Sequence, residues 1–312
     1  MYKVNWLEGY YTLHCYKRII GRKDSTEVIH ELQEIIRHKD EIDTLKMDFT
    51  ECSFISPASI GLICSVLKLL QKTEELNSID IIESRYDINS YMSRMNLFSE
   101  LGIDRVERFR RHNPNGRFIP LTKVESEENF RIIQDIMDMI EANFALSREL
   151  FLCLDWCFNE IVDNIEVHAS SPIDGYVIGQ NYQHRLEITI IDCGISIPSR
   201  MRESEEYEFL SDEETLEYAI QQGVSSAIGQ GNGLYYSSRF IENNQGRMII
   251  HSNRARMRVE GGESYSEILD LNWPGTVVHL EINKNSSVDP EYIFEESIPI
   301  DIQDRLDGFE LW

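Results

Sequence analysis

Positive charge is scarce in this sequence. Lys and Arg number 30 against 54 Asp and Glu, a formal net charge of -24 over 312 residues. A field of that sign repels phosphate backbones and anionic lipid, which argues against nucleic acid or a membrane surface as the main partner. A bound nucleotide would need a local site that overcomes it. The six cysteines (Cys15, Cys52, Cys64, Cys153, Cys157, Cys193) include no C-x-x-C pair, and none stands with a His or Cys partner at zinc spacing. Cys153 and Cys157, one helical turn apart, read as buried apolar thiols. No apolar run approaches a membrane span, and Met1–Trp6 has no signal-peptide pattern, so a reducing cytoplasm is the expected compartment. The Rossmann fingerprint and the P-loop lysine are also missing.

What is present suffices for real cores: 42% of residues are hydrophobic, and the length suits two ordinary domains. Val28, Ile29, Leu32, Ile35 and Ile36 recur at helical spacing over Thr26–His38, with Ser25 or Thr26 as N-cap. Thr44–Phe49 runs on into Cys52–Ile55 as a buried strand ending in a turn. Ser56 then caps a helix with Pro57 in its first turn and an apolar stripe to Leu76. Ser78–Ile82 reads as a short strand and Ile88–Leu97 as a helix, an alternation that indicates an α/β layer.

The stretch Phe54-Ile55-Ser56-Pro57-Ala58-Ser59-Ile60-Gly61, with the following helix, strand and Tyr91-Met92-Ser93-Arg94-Met95-Asn96-Leu97-Phe98, resembles the STAS domain of anti-sigma-factor antagonists over Leu45–Ile103. In that family a serine at the helix start accepts phosphate, favoured by the helix N-terminus. The matching position here is Pro57, which has no hydroxyl. Ser56 and Ser59 lie beside it and read as cap and first-turn residues. The resemblance therefore implies a docking or dimerising module rather than a phospho-switch. Arg110–Arg117, rich in turn formers and basic residues, marks the domain boundary, and Phe118–Leu121 could open the next domain as an edge strand that tolerates proline.

In the second half, Ser126–Ala145 is helical by pattern, and Ser147 caps a second, longer helix. Within it Glu160, Asn164 and His168 fall at successive i, i+4 positions and share one face. A carboxylate one turn from a carboxamide suits a hydrated Mg2+ and a polarised water, although such a stripe also describes a solvated helix face. Tyr176–Gln180 and Leu186–Ile191 read as strands. The second delivers Asp192-Cys193-Gly194, an aspartate able to accept from an exocyclic amine beside a glycine that admits a flat base; the plainer reading is a turn in which Asp192 binds neighbouring amides. An acid-rich stretch ends in Gln221-Gln222-Gly223-Val224-Ser225-Ser226. Gly229-Gln230-Gly231-Asn232-Gly233-Leu234 follows, exposing amides at the start of a helix over Leu234–Asn243. Met248–Ser252 is a strand, and Trp273-Pro274-Gly275-Thr276 a turn into the strand Val277–Ile282.

These four pieces, in this order over Asn129–Asn283, resemble the GHKL ATPase family, which includes the B subunit of DNA gyrase, heat-shock chaperones, histidine kinases and the anti-sigma serine kinases. The resemblance implies that Glu160 activates the attacking water or hydroxyl, that Asn164 coordinates Mg2+ with Glu160 reaching it through water, and that Asp192 reads the adenine amino group. It further implies that Gly194 lines the base pocket, that Gly229, Gly231 and Gly233 wrap the phosphates with Ser225, Ser226 and Leu234 beside them, and that Thr276 supports Asp192 through a water. His168 matches the anti-sigma kinase branch in particular, or is a partly buried histidine bonded to backbone.

The pattern is not complete. Ser196 stands where a second glycine is usual, and Arg200 and Arg202 alone offer a cationic clamp for the terminal phosphate, so slow turnover is expected. No phospho-accepting helix of the histidine-kinase type precedes the domain, which argues against a two-component sensor. The expected organisation is a STAS-like α/β domain over 1–112, a linker and edge strand over 113–127, a GHKL two-layer α/β sandwich over 128–285, and an acidic tail over 286–312. The expected cofactors are ATP and Mg2+. The expected function is an ATP-dependent regulator of protein contacts, with two alternatives: a serine/threonine kinase acting on a separate STAS or similar partner, and a non-hydrolysing ATP-binding module. Protein partners are expected at the STAS-like module and the tail, a homodimer among them.

Overall fold

The computed structural model describes residues 2–7, 10–15, 17–19, 26–42, 44–73, 78–107, 109–111, 113–125, 129–164, 171–224 and 232–293. They form a mixed α+β fold. The first half contains β1 (Tyr2–Leu7), β2 (Tyr10–Cys15), β3 (Lys17–Ile19), α1 (Thr26–Arg37), β4 (Thr44–Asp48), β5 (Cys52–Ile55), α2 (Pro57–Lys72), β6 (Ser78–Ile82), α3 (Ile88–Arg94) and α4 (Leu97–Glu100). The second contains β7 (Phe118–Val124), α5 (Asn129–Glu141), α6 (Arg148–Asp163), β8 (Gly175–Asn181), β9 (Arg185–Ile191), α7 (Ile197–Met201), α8 (Asp212–Ala219), α9 (Gly233–Asn244), β10 (Arg247–Glu260), β11 (Glu263–Asn283) and α10 (Pro290–Ile293). Among the described residues no helix is long and apolar enough to cross a membrane.

In the first half β1 and β2 pair antiparallel, then β4 and β6 add in parallel, in the order β1-β2-β4-β6. The run expected from Thr44 to Ile55 as one strand is two: it breaks at Phe49–Glu51, and β5 pairs instead with β3. Phe49 is fully buried at the break, where its amide bonds Ile82 O at 2.9 Å and its carbonyl accepts Cys52 N at 2.8 Å. The helix expected to reach Leu76 has its C-cap at Thr73, whose hydroxyl turns back to Leu69 O. The helix expected over Ile88–Leu97 is likewise divided, because Asn96 adopts a left-handed φ of 63° and turns the chain between α3 and α4.

The second half is built on a five-stranded antiparallel sheet ordered β10-β11-β9-β8-β7. Alternation along the strands sends adjacent apolar residues to opposite faces. Val177, Ile188, Ile190, Val278 and Leu280 pack under α5, α6 and α9, with Ile133, Ile136, Ile161 and Phe240. Tyr176, Ile178, Ile191 and Val277 face the other way and join one core with Ile60, Cys64 and Leu67 of α2 and with Leu32 and Ile35 of α1. The two halves thus share a core. Their join is extended by backbone: Leu121 N bonds Met95 O at 3.2 Å, and Asn96 Nδ2 donates to Leu121 O at 3.4 Å.

One further expectation is overturned by the long strand β11. Trp273–Thr276 is not a turn before a new strand but lies inside β11, which is continuous from Glu263 to Asn283. The ladder absorbs Pro274 and Gly275 as a bulge: Thr276 pairs with Ser252 and Trp273 with Asn253. The acidic stretch from Ser286 begins by docking on α9. Ile293 is buried, the Arg239 guanidinium lies 4.1 Å from the Tyr292 ring centroid, and Arg239 Nη2 donates to Tyr292 O at 2.7 Å.

Candidate functional site

Helix α6 starts where Ser147 accepts a hydrogen bond from Leu150 N at 3.3 Å. Its apolar side, Leu150, Cys153, Leu154, Cys157, Phe158 and Ile161, is buried. Cys153 and Cys157 Sγ lie 4.0 Å apart, and their mutual hydrogen bond and burial push the Cys153 thiol well above its ordinary range. Glu160 is half-buried on the adjoining side. Asn164 is exposed at the C-cap, its amide bonding Glu160 O, so the two expected Mg2+ oxygens sit one turn apart at the end of the helix. His168 lies outside the described residues.

The N-terminus of α9 packs directly on that turn of α6. A Cβ built on Gly233 would fall 2.5 Å from Glu160 Cβ and 3.7 Å from Cys157 O, so only glycine lets the helices approach this closely. Trp156 and Tyr236 meet edge to face at 5.6 Å just below. Asn232, at the N-cap position, does not cap the helix. The amides of the first turn therefore have no partner from that side chain, and the helix dipole adds positive potential beside Glu160. Ser225, Ser226, Gly229 and Gly231 lie outside the described residues.

Asp192 follows β9 directly and is 5% exposed. Its Oδ1 accepts Gly194 N at 2.8 Å and its Oδ2 accepts Thr276 N at 3.0 Å. Burial drives its pKa up from 3.8 to about 7, against the pull of those two backbone donors. The backbone is fixed as well, since Trp273 Nε1 donates to Asp192 O at 2.9 Å and Asp192 N bonds Thr276 O at 2.9 Å. Gly275, at φ 98°, leaves the room that the carboxylate occupies: a Cβ there would overlap Asp192 Oδ1. The support from Thr276 comes through its amide; its hydroxyl meets Ser252 Oγ at 2.9 Å. Ser252 Oγ also accepts Ile197 N at 2.9 Å. The knot satisfies the plainer expectation that Asp192 binds neighbouring amides, and still leaves the carboxylate with lone pairs for a further donor.

A small apolar cluster links the two places. Met201, Tyr207 and Ala219 are buried together, with Ile197 and Leu234 packed against them, so α7, just after Asp192, and the first turn of α9 meet the same cluster. Ser196 is the N-cap of α7 and accepts Ser199 N at 3.2 Å. Both candidate clamp cations are engaged: Arg202 pairs with Asp212 at 2.6 Å and Arg200 with Glu203 at 3.0 Å. No protein-family model matches the chain, and no curated protein matches it. Glu160, Gly233 and Leu234 are brought to one corner, and Asp192, Gly194 and Thr276 to another. Sequence reasoning missed Ser252 and Trp273, which fix the second corner. Their signal was weak: an indole three residues before Thr276, and a serine ending an apolar strand.

Proposed function

We propose that the chain is an ATP-binding regulator of the GHKL type, in which Mg-ATP binding and slow hydrolysis control contacts with other proteins. The contact of Glu160 with Gly233, the first residue of α9, carries the reading. It sets a carboxylate beside a helix N-terminus, where a water and an anionic phosphate can meet. Asp192 supports it as the base reader: held by two amides and the indole of Trp273, it offers its remaining lone pairs to an exocyclic amine. Asn164 and, through water, Glu160 fit Mg2+, which takes oxygen ligands and keeps much of its water; that ion would neutralise phosphate charge. Glu160 would orient and deprotonate the attacking water. With Arg200 and Arg202 engaged elsewhere, transition-state charge lacks an arginine partner from this stretch, which favours slow turnover.

The kinase alternative takes a defined form here. Ser56 and Ser59 are 4% and 0% exposed and bonded to each other at 2.8 Å. Neither is placed to receive a phosphate, so these two serines are not the acceptors in this form of the reading. The test is to incubate the full chain with Mg2+ and terminally labelled ATP beside Glu160→Ala, with a STAS-domain protein added in a parallel reaction. Release of labelled phosphate that Glu160→Ala abolishes while still binding ATP supports the ATPase reading. Label on the added protein selects the kinase, binding without movement of label selects a non-hydrolysing module, and failure to bind ATP removes the proposal.

A further inference from the structure

The stems on either side of residues 224–231 are fastened to each other. Asn232 Oδ1 accepts Gly223 N at 2.8 Å, with Gly223 at a left-handed φ of 74°. The carbonyl of Asn232 accepts Tyr236 N at 2.9 Å and so opens α9. One residue before Gly223, the Gln222 side chain hydrogen-bonds the Tyr236 hydroxyl. The chain therefore leaves the end of α8 and re-enters α9 across one hydrogen bond, with a second from the same stem to the next turn of α9. That re-entry puts Gly233 against Glu160. A carboxamide at an N-cap position usually binds the amide two or three residues ahead in its own helix. Here it is turned away from the helix to hold the preceding stem, so it does not occupy the first-turn amides.

We infer that Asn232 is a positioning residue for the phosphate end of the nucleotide: it holds the α9 N-terminus in place and does not touch the base. The inference rests on the nucleotide reading above. Losing one partly exposed hydrogen bond costs about 0.5–1.5 kcal/mol, which corresponds to roughly two- to tenfold in affinity when it acts wholly on the bound state.

The experiment titrates the full chain with Mg-ATP and, separately, with adenosine, using wild type, Asn232→Ala and Gly223→Ala. The methyl of Gly223→Ala meets nothing within 4 Å, but the positive φ strains it, so the same hydrogen bond is disturbed from the donor side. Both variants should bind Mg-ATP several-fold more weakly and adenosine within twofold of wild type. Equal affinity for Mg-ATP in all three proteins, or equal weakening of both ligands, overturns the assignment. A wild-type chain that binds neither ligand removes the nucleotide reading itself, a different failure from a wild type that binds both while Asn232→Ala binds as well.

Discussion

The two faces of the five-stranded sheet are covered differently. Under α5, α6 and α9 the packing is apolar from Val177 to Ile282. The opposite face is divided: Tyr176, Ile178, Ile191 and Val277 pack against α2 and α1, while Glu187, Thr189, His251 and His279 are buried polar residues. The face under α5, α6 and α9 carries Glu160 and α9 itself, the parts proposed to handle phosphate and water. The other face holds the strand ends still, and Asp192 sits at the junction, its carbonyl bonded to a Trp273 that belongs to the shared core. A site of this kind depends on both layers. The first half of the chain is then part of the wall behind the proposed base pocket.

If the second face is a true core, Ile178→Ala should cost as much as Ile188→Ala on the first, about 2–5 kcal/mol each in denaturant unfolding, since both side chains are fully buried. A cost near that of a surface substitution at Ile178 alone would separate the halves. Gly61→Val should be next in size. A Cβ on Gly61 would lie 2.6 Å from Ile191 Cδ1 and 3.2 Å from Ile178 Cγ2, so those side chains, or the elements that carry them, must shift; about 1–3 kcal/mol is expected from overpacking. If that shift reaches Asp192, adenosine affinity falls too, and an unchanged affinity would limit the coupling to stability.

The smallest expected effect near neutral pH comes from the polar half. Burial, with His279 and Arg258 nearby, lowers the pKa of His251 from 6.5 to about 3. Between those values the unfolded chain takes up a proton that the folded chain refuses, so stability is lost as pH falls below 6.5. Compared with His251→Phe, wild type should lose up to about 1.4 kcal/mol per pH unit in that window. Parallel stability curves would show that the imidazole is not shielded.

Much of the second half was legible in the sequence. Ser147 and the spacing of Leu150, Leu154 and Phe158 define α6, and the glycines before Leu234 mark the start of α9, because caps and periodicity are local. The outer part of the β10–β11 hairpin, beyond Ser252, was passed over, although Ala255, Met257 and Val259 alternate with charged residues up to Gly261-Gly262, both at positive φ. The strands β1 to β3 were missed as well; Tyr2–Leu7 carries the alternation. Other features could not be read locally. Gly61 looks like a weak point in a helix until Ile191 is seen against it. The clamp at Asn232 joins residues nine apart, and the indole of Trp273 reaches Asp192 from a different strand. Those depend on tertiary approach, which spacing does not encode.

The most direct measurement is the affinity for Mg-ATP of wild type and Asp192→Asn from pH 6 to pH 8. With a pKa raised to about 7, Asp192 is increasingly protonated as pH falls through that value and loses acceptor capacity, so wild-type binding should strengthen with rising pH. The stability term runs the other way. A carboxyl whose pKa is raised on folding stabilises the protein most below 3.8, and that contribution is lost as pH climbs towards 7. Binding that rises through pH 7 in wild type, and is weak and flat in Asp192→Asn, is the predicted result. Equal binding by the two proteins at every pH, or none by wild type, would contradict the account.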